Sequence, residues 1–149
     1  MSVMADTPPG QRTLLGFDYG TQRIGVAVGQ EVTTQARALT TLRAVKHKPD
    51  WEGISKLIQE WQPDLLIVGL PLHLDGNEQD MTRAAQRFAN QLHGRYRLRV
   101  ELMDERLTSD EAESLLAASG AAVFQDKAQV DMIAAQLILQ SWMELQQNT

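Results

Sequence analysis

No cysteine occurs in the 149-residue chain, which excludes disulfides, thiolate catalysis and cysteine-ligated zinc and fits a reducing compartment. Long apolar runs are missing as well: no stretch approaches the roughly 18 consecutive apolar residues that a membrane span requires. The N-terminus, MSVMADTPPGQR, lacks the charged-then-apolar order of a signal peptide, so the expected location is the cytoplasm, with no membrane partner. Positive charge is in short supply. The 14 Lys and Arg against 19 Asp and Glu leave a net charge of −5, which argues against a nucleic-acid binder that works by bulk attraction. What is there, 43% hydrophobic and 22% charged, is the composition of one soluble globular domain without repeats or low-complexity tracts.

Punctuation along the chain divides it into a flexible leader over 1–12, containing Pro8, Pro9 and Gly10, one domain over 13–145, and a frayed tail over 146–149. Leu14 to Tyr19 and Ile24 to Gly29 read as two strands joined by a turn at Gly20, and Ala36 to Leu42 as a weaker third. Asp50 is the expected N-cap of a helix carrying Trp51, Ile54, Leu57, Ile58 and Trp61 at helical spacing, closed by Pro63. DLLIVGLP, residues 64–71, is a near-continuous apolar strand of the kind buried on both faces. A helix with Met81, Ala84, Ala85, Phe88 and Leu92 on one side should stop near Gly94, and Arg97 to Met103 alternates like a strand. Thr108 and Glu111 have capping-box spacing ahead of a short helix ending near Gly120, and a last helix runs from about Lys127 to Leu145. This order suggests an α/β fold, a mixed sheet with helices on its faces.

Three carboxylates stand out, two where a charge is costly and one, Glu105, at a strand end where it is either merely solvated or facing a site. Asp18 interrupts the first buried strand, on the face of Leu14 and Gly16. It either opens a turn or faces a site, and the small residues of the return strand let something approach the sheet closely. Glu105 ends the strand through Leu98, Val100 and Leu102, with Asp104 as an immediate rival. Alternation sends only one of the two toward a shared site. Asp131 lies within a broad apolar arc of the last helix formed by Val130, Ile133, Ala134, Leu137, Ile138 and Trp142. There it needs a metal, or pairing with Lys127 or a nearby arginine. A strand Asp, a strand-end Glu and a helix Asp are the oxygen ligands that a two-metal phosphoryl-transfer site requires, with no histidine or cysteine needed.

Four segments, FDYGTQRIGVAVG, VGLPLHLDGNEQ, DERLTS and KAQVDMIAAQLIL, together resemble the YqgF family of bacterial proteins, from about Leu14 to Trp142. The resemblance implies a ribonuclease H-like fold related to Holliday-junction resolvases: a mixed five-stranded sheet flanked by helices on both faces. It implies magnesium-dependent phosphodiester cleavage, with Mn²⁺ as a substitute, and assigns the catalytic, metal-holding carboxylates to Asp18, Glu105 and Asp131. Two activities are described for the family, resolution of four-way DNA and maturation of the 5′ end of precursor 16S ribosomal RNA. The expected partners are therefore precursor rRNA or branched DNA, with ribosomal particles, and the expected assembly is a monomer or homodimer.

Arg23, Arg106 and Lys127 lie beside the acidic motifs and His73 follows the apolar strand, so all four are candidate substrate contacts. Bound Mg²⁺ would turn the acidic cluster into a phosphate-binding one despite the net charge. Arg83, Arg87, Arg95, Arg97 and Arg99, with Arg43, Lys46 and Lys48, form local basic runs that are either a nucleic-acid track or solvated faces. Two other readings stand beside the nuclease. The D-Y-G-T turn also resembles the phosphate loop of actin-like ATPases, which need two such domains where this chain holds one. An adaptor without catalysis would carry the three acids as a standing cost.

Overall fold

The computed structural model describes residues 7–46, 48–72, 77–107 and 127–147. Strands β1 (Thr13–Tyr19), β2 (Arg23–Gln30) and β3 (Gln35–Val45) form an antiparallel meander. The two-residue strand β4 (Lys48–Pro49) and helix α1 (Trp51–Trp61) follow, then β5 (Leu65–Leu70), helix α2 (Asp80–Tyr96), β6 (Arg99–Asp104), a 3₁₀ turn (Glu105–Leu107) and helix α3 (Lys127–Gln147). The sheet order is β4-β3-β2-β1-β5-β6, with β5 parallel to both β1 and β6. No helix among the described residues is long and apolar enough to cross a membrane.

The sheet has six strands where the resemblance implied five. The addition is β4, which folds back on Ala44 and Val45 after Lys46 enters the left-handed region at φ 53°. Two residues are too few to leave a period-2 pattern in the sequence. Helix α2 also runs past Gly94, because the left-handed C-cap falls on Arg97. Its last residue, Tyr96, is held by the Ser55 hydroxyl at 2.8 Å. The helix expected from Thr108 to Gly120 lies outside the described residues.

Alternation along each strand divides the interior into two layers. Leu15, Phe17, Ile24, Val26, Leu66 and Val68 face α1 and α2, where they meet Ile54, Phe88 and Leu92. Leu14, Ala27, Leu65, Ile67 and Met103 face α3, against Ala135, Ile138, Leu139 and Trp142. Helices thus cover both faces. Asp50 caps α1 as its position predicts, accepting from Gly53 N at 3.0 Å.

The half of the leader that is described is pinned to the domain. Thr7 Oγ1 donates to Asp64 Oδ1 at 2.7 Å, and the amides of Gly10 and Arg12 donate to Glu31 Oε1 at 2.9 and 3.0 Å. Arg12 pairs with the same carboxylate at 2.8 Å, holding it below the ordinary glutamate range against the cost of burial.

The apolar arc of α3 is rotated from its sequence reading. Val130 is 50% exposed and Ile133, Ala134 and Leu137 are only half-buried. The buried stripe is Ala135, Ile138, Leu139, Trp142 and Met143. So many residues of this helix are apolar that hydrophobicity alone does not select a face. What selects it is the sheet. A Cβ on Gly16 would stand 2.9 Å from Leu139 Cβ, and one on Gly29 would stand 3.0 Å from Leu139 Cδ2 and Met143 Cε. The helix seats where strand residues are small. Asp131 keeps its place on this stripe, one turn before Ala135.

Candidate active site

Asp18 belongs to the α3 layer, as its register with Leu14 and Gly16 predicts, and it lies at the carboxyl end of β1. Across the antiparallel pairing it faces Gly25 of β2. On its other side β1 and β5 run parallel with Phe17 beside Val68, so Gly69 is the next residue along β5 as Asp18 is along β1. A glycine therefore flanks the carboxylate on either side. Crevices at the carboxyl ends of parallel strands, beside a reversal of strand order, are where open α/β sheets bind ligands.

The two glycines admit the other two acids. At Gly69 a Cβ would stand 3.1 Å from Glu105 Oε2, so the glutamate reaches back from the 3₁₀ turn over the sheet. At Gly25 the nearest atom is the main-chain carbonyl oxygen of Asp131, which brings the first turns of α3 directly onto β2. The Thr41 hydroxyl, beside Gly25 on β3, donates to Ala128 O and fixes the same turn. The small residues of β2 give clearance not to a metal or phosphate, as the sequence reading had it, but at Gly25 to the backbone of this helix.

Two of the carboxylates act on the third. Burial pushes Asp18 up to about 7, and the negative charges of Glu105 and Asp131 push in the same direction. Glu105 is raised too, by burial first and then by Asp104. No hydrogen-bond donor or cation among the described residues answers the Asp18 carboxylate. An acid held against both solvation and charge in this way marks a candidate functional group.

The candidate partners divide. Arg23 Nε donates to Asp131 Oδ2 at 2.6 Å, across 108 residues of sequence, with both side chains about a quarter to a third exposed. Of the alternatives open for Asp131, a metal or pairing with Lys127 or a nearby arginine, the described residues show the arginine pairing. Arg106 is turned onto Asp104, with Nη2 at 2.7 Å from Oδ2 and its own amide at 2.9 Å from Oδ1. That lowers the Asp104 carboxyl from its ordinary value, and of the two neighbours Glu105 is the one whose charge raises Asp18. Lys127 begins α3, its side chain outside the described residues, as is His73.

A hard divalent cation suits these donors: the acids offer oxygen only, and Asp18 has no other counter-charge among the described residues. As the side chains stand, no three acidic or histidine groups among the described residues converge tightly enough to grip an ion. Asp131 spends one oxygen on Arg23 instead. The donor chemistry fits, with that ion pair as the competitor.

A family model described as RuvX: Holliday junction resolvase matches residues 12–145. A protein of Pectobacterium atrosepticum named "Putative pre-16S rRNA nuclease" is 53% identical over 135 residues, covering 91% of this chain and 97% of that protein. One of the same name from Aeromonas salmonicida is 52% identical, covering 91% and 96%. Among solved structures, the yeast mitochondrial Holliday junction resolvase Ydc2 superposes with a TM-score of 0.60 at 12% identity, over 95% of this chain and 82% of that one. RuvC of T. thermophilus in complex with a Holliday junction substrate gives 0.58 at 13%, over 92% and 96%. At such identities these two show the fold, which is ribonuclease H-like.

Proposed function

The chain belongs to the RuvX (YqgF) family, and from that membership we propose a metal-dependent nuclease that hydrolyses phosphodiester bonds in maturing the 5′ end of precursor 16S rRNA. The observation that carries the site is the raised Asp18 carboxyl, caught between Glu105 and Asp131 at one end of the sheet. We assign the hold on Mg²⁺, or Mn²⁺ in its place, to these three acids. When bound, the metal supplies a more acidic attacking water and charge stabilisation at the leaving oxygen.

The chain's own groups set the conditions for that chemistry. Asp18 binds a cation only once ionised, which its environment delays to about pH 7. Asp131 must share with the metal, or surrender, the oxygen that Arg23 now holds. Arg23 released from Asp131 becomes a cation at the rim for a substrate phosphate. Lys127 and His73 complete the proposed phosphate contacts. Arg106, bound to Asp104, steadies the turn from which Glu105 projects.

A second reading, cleavage of four-way DNA in the cytoplasm, is favoured by the family description and by the junction-cutting structural relatives. The deciding experiment is a magnesium-dependent assay on a 5′-extended 16S rRNA precursor and on a four-way DNA junction in parallel. Asp18→Asn and Asp131→Asn serve as controls. Cleavage of the precursor alone, lost in both variants, is expected. Junction cleavage alone would establish the second reading. No cleavage of either, with precursor particles still bound, would indicate an adaptor. Sizing with each substrate reads the assembly, since cutting two strands of a junction calls for a homodimer and trimming one strand does not.

A further inference from the structure

The residue after Asp18 points the other way. Tyr19 lies on the α2 side of the sheet, its ring 4.8 Å from that of Phe88 and inclined to it by 31°. Tyr19, backed by the buried Phe88, forms the floor of a cleft of about 240 Å³ at the β1–β2 turn. Met81 and Ala84 of α2 form one wall, and Thr21, Arg87 and Gln91 the rim. The volume is below the roughly 300–1,000 Å³ that encloses a drug-sized ligand. It has room for one flat ring system. The larger cavity, about 360 Å³ beside Pro9 and Gln146, offers no comparable chemistry, since its cation Arg12 is already committed to Glu31.

Arg87 separates this cleft from an ordinary surface hollow. Of the basic residues in its segment, Arg83 pairs with Glu78 and Asp80, Arg99 with Glu101, and Arg95 lies over the Trp51 ring at 4.0 Å. Arg97 serves as the C-cap of α2. Arg87 is exposed and makes no ion pair among the described residues. Arg87, with no ion pair among the described residues, therefore stands beside an aromatic floor whose Tyr19 is the residue next to the partly buried Asp18. Asp80, also at the cleft, shares its charge with Arg83 at 3.9 Å.

We propose that this cleft is a subsite for one unpaired nucleotide of the strand whose phosphate enters the carboxylate site. This rests on the nuclease reading and adds to it a preference for unstacked substrate. An aromatic floor attracts a base face irrespective of sequence, and a rim guanidinium meets the adjoining phosphate. A paired base stays inside its helix and does not reach the floor. The subsite thus selects single-stranded flanks over continuous duplex. Thr21, in the turn between Asp18 and Arg23, joins the two sites across the end of the sheet.

The test is magnesium-free fluorescence anisotropy with a single-stranded oligoribonucleotide, its deoxy counterpart and a blunt duplex. A 2-aminopurine in each single strand reports stacking. Ala84→Phe fills the cleft from the partly exposed helix, and Arg87→Gln removes the cation while sparing the core. Both should weaken single-strand binding about tenfold, ribo and deoxy alike, and leave duplex binding unchanged. Ala84→Phe should also abolish the 2-aminopurine response. Single-strand affinity equal to wild type in both variants, or equal losses on single strand and duplex, would overturn the subsite. Asp18→Asn is read separately, in the magnesium-dependent cleavage assay. Retained cleavage by that variant would sink the role given to Asp18, and no cleavage by the wild type would sink the nuclease reading; both leave the subsite result standing.

Discussion

The carbonyl oxygen of Asp131 lies 1.9 Å from where a Cβ on Gly25 would stand. Helix and strand are in main-chain contact at the residue pair that faces Asp18. Flexible side chains yield to an added methyl, but backbone does not, so α3 would have to lift from β2. Gly25→Ala should cost about 3 kcal/mol, the upper end of overpacking penalties, and should remove cleavage by displacing Asp131. Urea denaturation and the cleavage assay read the two effects. The same substitution at Gly94, with nothing within 4 Å, should leave both intact.

Asp18 makes the metal-free protein less stable in base than in acid. Its carboxyl is raised from an ordinary value of 3.8 to about 7 in the folded state. Below about pH 4 both folded and unfolded chains carry the proton and the group contributes nothing. Between pH 4 and 7 only the folded chain keeps it, so stability falls as pH rises, and above 7 the full penalty of roughly 2–4 kcal/mol is present. In EDTA at pH 8, Asp18→Asn should therefore melt above wild type, and the gap should close toward pH 4. Magnesium at pH 8 should raise the wild-type Tm and leave the variant unmoved.

Arg23 competes with the proposed metal for Asp131. The pair is partly exposed, so breaking it should change stability by no more than about 1 kcal/mol. Arg23→Gln should nevertheless shift the magnesium midpoint, followed by thermal melting, to lower concentration, because Asp131 is released. A midpoint that stays put or rises would show that the ion pair does not restrain the carboxylate.

The adjacent acids of the D-E-R motif should separate cleanly. Glu105→Gln is expected to lower cleavage at least a hundredfold, whereas Asp104→Asn, whose partner is Arg106, should stay within about tenfold of wild type. Equal losses in single-turnover rates would place both acids at the chemistry.

Much of this was legible because it follows from period. The alternation of Leu14, Gly16 and Asp18 gave the face of the first acid, and the small residues Gly25, Ala27 and Gly29 announced a close neighbour. Helical spacing kept Asp131 on the sheet side. Periodicity failed where it had no contrast: α3 is apolar on most of its surface, so Val130 was placed inward and stands half exposed. β4 is too short for any period. The Arg23–Asp131 and Arg106–Asp104 pairings were open in the sequence, since a charge beside an acid motif reads equally as ligand or as partner. Tyr19 and Phe88 are 69 residues apart, and only the packing of α2 on β1 reveals their shared cleft.

The contact between β2 and the first turns of α3 also orders events in time. The β1–β2–β3 meander needs only neighbours in sequence and can close as soon as it leaves the ribosome. Asp131 arrives with α3, and Arg23 waits across 108 residues for it. A half-synthesised chain thus holds Asp18 beside Gly25 with nothing above it. On the proposed assignment, a chain synthesised short of residue 131 lacks one of the three acids and would not yet cleave.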